Sequence, residues 1–277
     1  MSAGEVGTPR NGRLGDLPGR LAVAIPGAAV VATLLWVGGA AWASLVAIVA
    51  AFAAFEGVRL LRDANALALA TGALTAGVIA AAAIDGPEAL APALMAAFAV
   101  LAISSFAVIR AGDRTQSVLA GTLCLVWVGA SLAHGALLRE LDHGGVLVLA
   151  VLVGTFLGDT FAHILGSLFG RTPLAPSVSP NKSVEGFVAG IIGGTAAVVV
   201  LAAIVDEPWF ELWEAALFGL AITVAAVCGD LFESALKREA GVKDSGTLLG
   251  AHGGVLDRVD ALLFTVPLGY YLATTLV

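Results

Sequence analysis

The residues of this chain that could do chemistry are concentrated between Ser234 and Asp260, where nine of 27 residues are Lys, Arg, Asp, Glu or His. In the whole chain only 13% of the residues are charged and 59% are hydrophobic. In a protein this apolar, a cluster of so many ionisable side chains indicates that the cluster has a function. Carboxylates mixed with basic residues suit a site that binds an anionic, phosphate-bearing substrate.

Four polar residues at the start of this region are spaced i, i+3, i+4 and i+7, which brings them to one helical face: Asp230, Glu233, Ser234 and Lys237. An ion pair between Glu233 and Lys237 is the ordinary structural explanation for two of them. Asp230 lies deeper in an apolar run, where an unpaired carboxylate is costly. A hard divalent cation such as Mg²⁺ is a natural partner for it.

A glycine-rich run follows, with glycines at 246, 250, 253 and 254 that allow the backbone to approach a ligand closely. Asp257 and Asp260 then share one face in the first turn of the last predicted helix. Acids in a first turn are also common as partners of the helix dipole. Together with Asp230, however, they could converge on a metal ion. Mg²⁺ carboxylates surrounded by basic residues meet the needs of phosphoryl or nucleotidyl transfer.

A further group of candidates lies upstream. Asp159 and His163 are four residues apart and therefore point to one face of an apolar helix. A hydrogen bond to a neighbouring helix is the alternative explanation for both. The stretch from Ser179 to Gly186 has the form of a loop that ends at a helix start, with Ser183 as the N-cap. The free N–H groups of that first turn would attract an anion, as would Lys182 in the loop before it.

Nine apolar segments of about 20 residues must position these side chains. They are 20–39, 41–60, 66–84, 88–109, 117–137, 145–168, 185–205, 212–236 and 256–276. With a mean hydropathy of +0.96, the composition excludes a water-soluble domain. We predict an all-α, polytopic integral membrane protein with about nine transmembrane helices. The first two segments could alternatively form a re-entrant pair, since only three small residues separate them.

The distribution of basic residues predicts the orientation. With a cytoplasmic N-terminus, 13 of the 14 Lys and Arg residues fall on the inner side and only Arg139 falls outside. The polar residues between Ser234 and Asp260 then face the cytoplasm. In this scheme residues 1–19 are a disordered cytoplasmic tail, 20–140 form the N-terminal membrane helices, and 141–277 form the catalytic region.

The run from Ser234 to Asp260 resembles the C-terminal signature of the phosphatidate cytidylyltransferases (CDP-diacylglycerol synthases). Gly158-Asp159 and the stretch from Ser179 to Gly186 resemble the other hallmark region of that family, so the resemblance covers about residues 155–262. It implies the transfer of CMP from CTP to phosphatidate, which yields CDP-diacylglycerol and pyrophosphate. It also implies Mg²⁺, K⁺ as a second cation, a homodimer, no nucleic-acid partner, and a place in a bacterial-type inner membrane with the active site facing the cytoplasm.

The resemblance also assigns roles to matching positions. The implied metal ligands are Asp230, Asp257, Glu233, Asp260 and Asp159. The implied catalytic residues are Lys237, Arg238, Lys243, Asp244, His252 and Arg258. The implied substrate-binding residues are Ser179, Lys182, Ser234, Gly253 and Gly254. The chain departs from the family pattern at His163, Asn181, Ser183 and Gly250, where Tyr, Lys, Thr and Pro are common.

Two other kinds of function fit part of the pattern. A polyprenol or phytol kinase, or a synthase that uses an archaeal-type ether lipid, would share the carboxylates and the basic loop but should lack the complete Ser234–Asp260 run. A cation-coupled transporter would use Asp159 and Asp230 along an ion path. The sequence has no evident internal repeat of the kind that transporters use, and its charges are concentrated in a loop.

Overall fold

The structure is a computed structural model of the 277-residue chain, and it describes residues 17–62, 64–110, 112–205, 209–246, 248 and 253–276. The helices of the first half are α1 (Leu17–Val37), α2 (Gly39–Leu61), α3 (Asn65–Asp85), α4 (Leu90–Val108) and α5 (Arg114–Glu140). The second half contains α6 (Gly144–Phe169), β1 (Pro173–Ala175), β2 (Ser179–Ser183), α7 (Val184–Ile204), α8 (Leu212–Glu239), α9 (Leu256–Val259) and α10 (Leu262–Leu276).

The predicted fold class is confirmed: the described chain is an all-α, polytopic membrane protein. Its described residues contain eight helices that are long and apolar enough to cross a membrane, with α9 and α10 counted together as the span Leu256–Leu276. The first predicted segment, 20–39, corresponds to α1, which has 21 residues. Its part Ile25–Val37 is a shorter apolar helix and is not one of the eight. The count of nine spans and the cytoplasmic N-terminus stay predictions.

The junction between α1 and α2 depends on Gly38 and Arg139. Gly38 has a φ of +68°, and a Cβ there would lie 2.5 Å from the Arg139 guanidinium. Arg139 donates a hydrogen bond from Nε to the Leu35 carbonyl at 2.9 Å. A cation at the C-terminal end of a helix interacts favourably with the helix dipole. Arg139, the one basic residue predicted on the outer side of the membrane, therefore caps the C-terminal end of α1.

Closely packed glycines bring α6 and α7 together. A Cβ on Gly190 would lie 2.9 Å from the Gly158 carbonyl oxygen, and one on Gly194 would lie 2.7 Å from that of Gly154. Small residues at such positions let membrane helices approach each other closely, and packing then replaces the hydrophobic effect as the source of stability. These two helices form adjacent walls of the cavity described below.

A short antiparallel hairpin, β1–β2, connects α6 to α7 where the sequence predicts a loop. The predicted N-cap is confirmed, because Ser183 Oγ accepts a hydrogen bond from the Gly186 N–H at 3.1 Å. Glu185 accepts hydrogen bonds from the backbone N–H groups of Arg171 and Thr172 at 3.0 and 3.1 Å. These contacts attach the hairpin to the start of α7.

Candidate active site

A cavity of about 620 Å³ lies among α6, the hairpin, α7, α8 and the segment that joins α9 to α10. Its ionisable lining residues come from three separate parts of the sequence and are Asp159, His163, Lys182, Asp230, Asp257, Arg258 and Asp260. The three groups of residues that the sequence singles out therefore meet in one place. Four carboxylates and two permanently cationic side chains face the same space.

The centre of one wall is Asp230, on α8. Its carboxylate contacts the Lys182 ammonium group, which reaches it from β2, and accepts a hydrogen bond from Ser234 Oγ at 3.3 Å. Asp159, on α6, interacts electrostatically with Asp230, Lys182 and His163. The hairpin lysine therefore stands between carboxylates of two different helices.

Asp257, on α9, also lines the cavity and is held by several donors. Lys237 Nζ donates to its Oδ1 at 2.8 Å, and the N–H groups of Ser245 and Gly254 donate to its Oδ2 at 3.0 and 2.8 Å. Gly253, which precedes this contact, has a φ of +78°, a conformation that favours glycine. The backbone of the glycine-rich run is thus wrapped around the Asp257 carboxylate.

Glu233 lies on α8, three residues after Asp230, and is fully buried. It forms the ion pair with Lys237 that the i, i+4 spacing suggested, so the structural explanation of these two residues is confirmed. Glu233 also interacts electrostatically with Asp260 and Asp257, and its Oε1 has no hydrogen-bond partner among the described residues. Lys237 therefore contacts Glu233 on its own helix, α8, and Asp257 on α9, and the second contact joins the two helices.

Several residues with predicted roles lie outside the cavity lining. Arg238 donates hydrogen bonds to the carbonyls of Val178 and Val242 at 3.3 and 3.2 Å, which holds the hairpin turn against the end of α8. Lys243 and Asp244 are exposed, and Ser179 pairs with Ala175 in the hairpin. The predicted roles of all these residues stay predictions. His252 and Gly250 lie outside the described residues.

The carboxylates do not form a closed metal cage. No group of three or more His, Cys, Asp or Glu side chains in the described part of the chain is arranged to hold a metal ion. Mg²⁺ is commonly bound by one or two carboxylates, with waters and substrate phosphates completing its coordination. Asp230, Asp257 and Asp260 around an open cavity fit that kind of site. The assignment of Mg²⁺ to the five predicted ligands stays a prediction.

Sequence reasoning missed one residue that contacts this region. Glu56, on α2, is only 3% exposed, and its Oε2 accepts a hydrogen bond from the Leu256 N–H at 2.9 Å, across 200 sequence positions. The available signal was a carboxylate inside an otherwise apolar N-terminal segment. Its partner could not be read from the sequence, because nothing local links α2 to the start of α9.

Comparisons with known proteins find similar sequences in bacteria and in a plant. The chain is similar to the phosphatidate cytidylyltransferase of Thermotoga maritima, at 40% identity over 133 residues, which covers 47% of this chain and 49% of the relative. It is 43% identical over 134 residues to the phosphatidate cytidylyltransferase of Synechocystis, covering 48% of this chain and 45% of the relative. It is 45% identical over 127 residues to the chloroplastic phosphatidate cytidylyltransferase 4 of Arabidopsis thaliana, covering 46% and 32%.

The aligned part spans less than half the length of each of these relatives. A family model, by contrast, matches nearly the entire chain. The model is that of the cytidylyltransferase family, and it covers residues 18–276, from the first described helix to the end of α10. The match therefore includes all three groups of residues that line the cavity. This chain belongs to the cytidylyltransferase family.

Proposed function

We propose that the chain is a phosphatidate cytidylyltransferase, which transfers CMP from CTP to phosphatidate to yield CDP-diacylglycerol and pyrophosphate. One observation carries the proposal: a single cavity brings together the carboxylates Asp159, Asp230, Asp257 and Asp260 with the cations Lys182 and Arg258. The family to which the chain belongs and the activity of the similar proteins named above support this substrate pair.

The cavity suits a lipid that carries a phosphate. Besides its charged side chains, the lining includes the apolar residues Phe156, Phe187 and Leu262. Phe156 is also 52% exposed, so the apolar part of the lining reaches the exposed surface of the described bundle. A diacylglycerol moiety would bind along the apolar part, and its phosphate would reach the basic residues.

The reaction needs no dedicated general base. The phosphate monoester of phosphatidate is already ionised at neutral pH, and one of its oxygens attacks the α-phosphorus of CTP. A new P–O bond joins the two phosphates while the bond from the α-phosphorus to the β-phosphate oxygen breaks, and pyrophosphate leaves with that electron pair. Positioning and charge neutralisation are the main tasks of the protein. Lys182 and Arg258 are placed to neutralise phosphate oxygens.

Asp230, Asp257 and Asp260 would hold Mg²⁺. A bound Mg²⁺ would neutralise charge on the CTP phosphates and orient them. Lys237 would keep Asp257 and Glu233 in place behind the cavity, since it contacts both carboxylates. K⁺ as a second cation and a homodimer belong to the same proposal.

The proposed orientation places the cavity at the cytoplasmic face of the inner membrane. The C-terminal end of α2 lies on the same side of the bundle as α9, because Glu56 bonds to Leu256. Arg59 and Arg62 follow Glu56 at that end, and Arg62 forms an ion pair with Asp113 at 3.1 Å. Basic residues gathered at one end of the helices support a cytoplasmic placement.

The test is turnover by the purified chain in lipid micelles with labelled CTP and phosphatidate, first without Mg²⁺ and then with Mg²⁺ restored. We expect labelled CDP-diacylglycerol and pyrophosphate in equal amounts, only when Mg²⁺ and phosphatidate are both present. Parallel reactions should contain a prenol or an ether lipid in place of phosphatidate. A phosphorylated prenol, or a product from the ether lipid alone, would contradict the proposal.

A further inference from the structure

We propose that Glu56 is a positioning residue for the active site, although it belongs to α2, outside the helices that line the cavity. Its carboxylate holds the glycine-rich backbone and the start of α9 in place, and through them it holds Asp257. This inference rests on the proposed function for its effect on turnover, but its structural part is independent of the substrate.

The Glu56 carboxylate is buried in the bundle. Glu56 and Glu233 are the two acidic residues that are buried in the described part of the chain. Glu233 has Lys237 as a cationic partner, whereas Glu56 forms no ion pair within the described part of the chain. Its Oε2 instead accepts the Leu256 N–H at 2.9 Å, and the Val255 amide also interacts with the carboxylate. Oε1 is buried without a hydrogen-bond partner among the described residues, so the backbone donors hold this carboxylate through Oε2. A buried carboxylate held in this way depends on the exact position of those donors.

The donors belong to a helix start. Leu256 is the first residue of α9, and its N–H has no acceptor within that short helix. Val255, which precedes α9, makes no side-chain capping hydrogen bond. Glu56 therefore supplies, from another helix, the acceptor that an N-cap side chain usually provides. Asp257 is the next residue after Leu256, so the orientation of this first turn determines where its carboxylate points.

The second observation is the fit of two glycines around Glu56. A Cβ on Gly254 would lie 2.5 Å from Glu56 Oε2, and a Cβ on Gly246 would overlap Oε1. The backbone at both positions therefore lies directly against the carboxylate. Ser245 and Gly254, in turn, donate their N–H groups to Asp257. The same stretch of backbone is thus held between two carboxylates, Glu56 on one side and Asp257 on the other.

The third observation is the packing beside this contact. A Cβ on Gly57 would lie 3.6 Å from the Leu256 side chain and 2.9 Å from Cys124 Sγ. Leu256 itself is fully buried. The start of α9 is therefore seated on α2 by an apolar contact and a polar contact next to each other. The apolar contact keeps α9 attached, and the carboxylate selects its orientation.

The test compares Glu56→Ala and Glu56→Gln with the wild-type chain, with Thr75→Val as the matched control. Gln keeps the length of Glu and one acceptor oxygen, so it should restore part of what Ala removes. Thr75 is a fully buried polar residue on α3 whose hydroxyl has no hydrogen-bond partner in the described chain. Its replacement therefore measures the general effect of changing a buried polar group in this bundle.

Two measurements separate positioning from general stability. Hydrogen–deuterium exchange should be about tenfold or more faster in Glu56→Ala at the amides of Val255 and Leu256, and unchanged in the hairpin at 173–183. The kcat for CDP-diacylglycerol formation should fall about 10- to 100-fold in Glu56→Ala, the scale of a lost hydrogen bond to a charged group. Glu56→Gln should lie between Ala and wild type, and Thr75→Val should match wild type in both measurements.

Three results would overturn the inference: unchanged exchange at Val255 and Leu256, exchange that rises equally in the hairpin, or normal kcat despite faster local exchange. If the wild-type chain forms no CDP-diacylglycerol at all, the proposed function fails. The exchange comparison then still decides whether Glu56 orders the start of α9.

Discussion

Replacing Asp257 by Asn tests the assignment of the active site most directly, because the structure specifies what each oxygen of this carboxylate does. Oδ1 accepts the Lys237 ammonium group at 2.8 Å and the Ser245 N–H at 3.2 Å, and Oδ2 accepts the N–H groups of Ser245 and Gly254 at 3.0 and 2.8 Å. Both oxygens are acceptors, and every partner is a donor. An amide has only one acceptor oxygen, so its NH₂ group must face a donor in either orientation.

The magnitude follows from these contacts. If the NH₂ group faces Lys237, one charge-assisted hydrogen bond is lost, at a cost of about 1.5–3 kcal/mol. If it faces the backbone, the Gly254 N–H loses its acceptor, at a cost of about 1–3 kcal/mol, and the Ser245 N–H keeps only its 3.2 Å contact with the remaining oxygen. Asp257 is also one of the proposed Mg²⁺ ligands, and removing a key electrostatic stabiliser lowers kcat by about 10²–10³-fold. We therefore expect kcat for Asp257→Asn to fall at least about 100-fold.

The assay is the initial rate of CDP-diacylglycerol formation over a range of Mg²⁺ concentrations. The matched control is Asp142→Asn, the same chemical change at an exposed acid in the turn between α5 and α6. We expect the control to retain wild-type turnover and Asp257→Asn to stay slow at every Mg²⁺ concentration. Turnover of Asp257→Asn within about threefold of wild type, at equal membrane expression, would refute the reasoning about this carboxylate.

Three further predictions test other contacts. Lys182→Met should lower kcat/KM about tenfold or more in the same assay, since it removes a cation from the cavity lining; an unchanged value would contradict its role. Gly254→Ala should abolish most turnover, because its Cβ would lie 2.5 Å from Glu56 Oε2, whereas Gly77→Ala, with nothing within 4 Å, should be neutral. Arg139→Met should lower thermal stability by about 1 kcal/mol through loss of the α1 cap, with kcat unchanged. A large loss of kcat in Arg139→Met would contradict the purely structural role given to Arg139.

Much of the helical framework could be predicted from the sequence. The predicted segments 66–84 and 145–168 became Asn65–Asp85 and Gly144–Phe169, and the Ser183 cap forms as expected. These features depend on local properties, namely the length of an apolar run and a hydroxyl placed three residues before a free N–H. The Glu233–Lys237 ion pair is equally local, since helical periodicity alone brings the two side chains together.

Other features could not be predicted from local patterns. The predicted last helix 256–276 is divided into α9 and α10, and the predicted loop after α6 contains a β-hairpin. The backbone of α8 at Gly229 packs directly against the break, where a Cβ would lie 2.6 Å from the Asp260 carbonyl oxygen. Such close contact between segments is a property of the packed bundle, and hydropathy does not record it.

The sequence by itself determined the class of protein and the chemistry it can support. Its apolar runs require membrane helices, because a backbone in lipid must satisfy its own hydrogen bonds. Its cluster of carboxylates and cations between Ser234 and Asp260 indicates a phosphate-handling site. Only the tertiary structure decided which of them meet: Lys182 with Asp230, Lys237 with Asp257, and Glu56 with Leu256. The reason is that each of these contacts joins two separate elements of the fold, so it depends on how the elements pack and not on the spacing within any one of them.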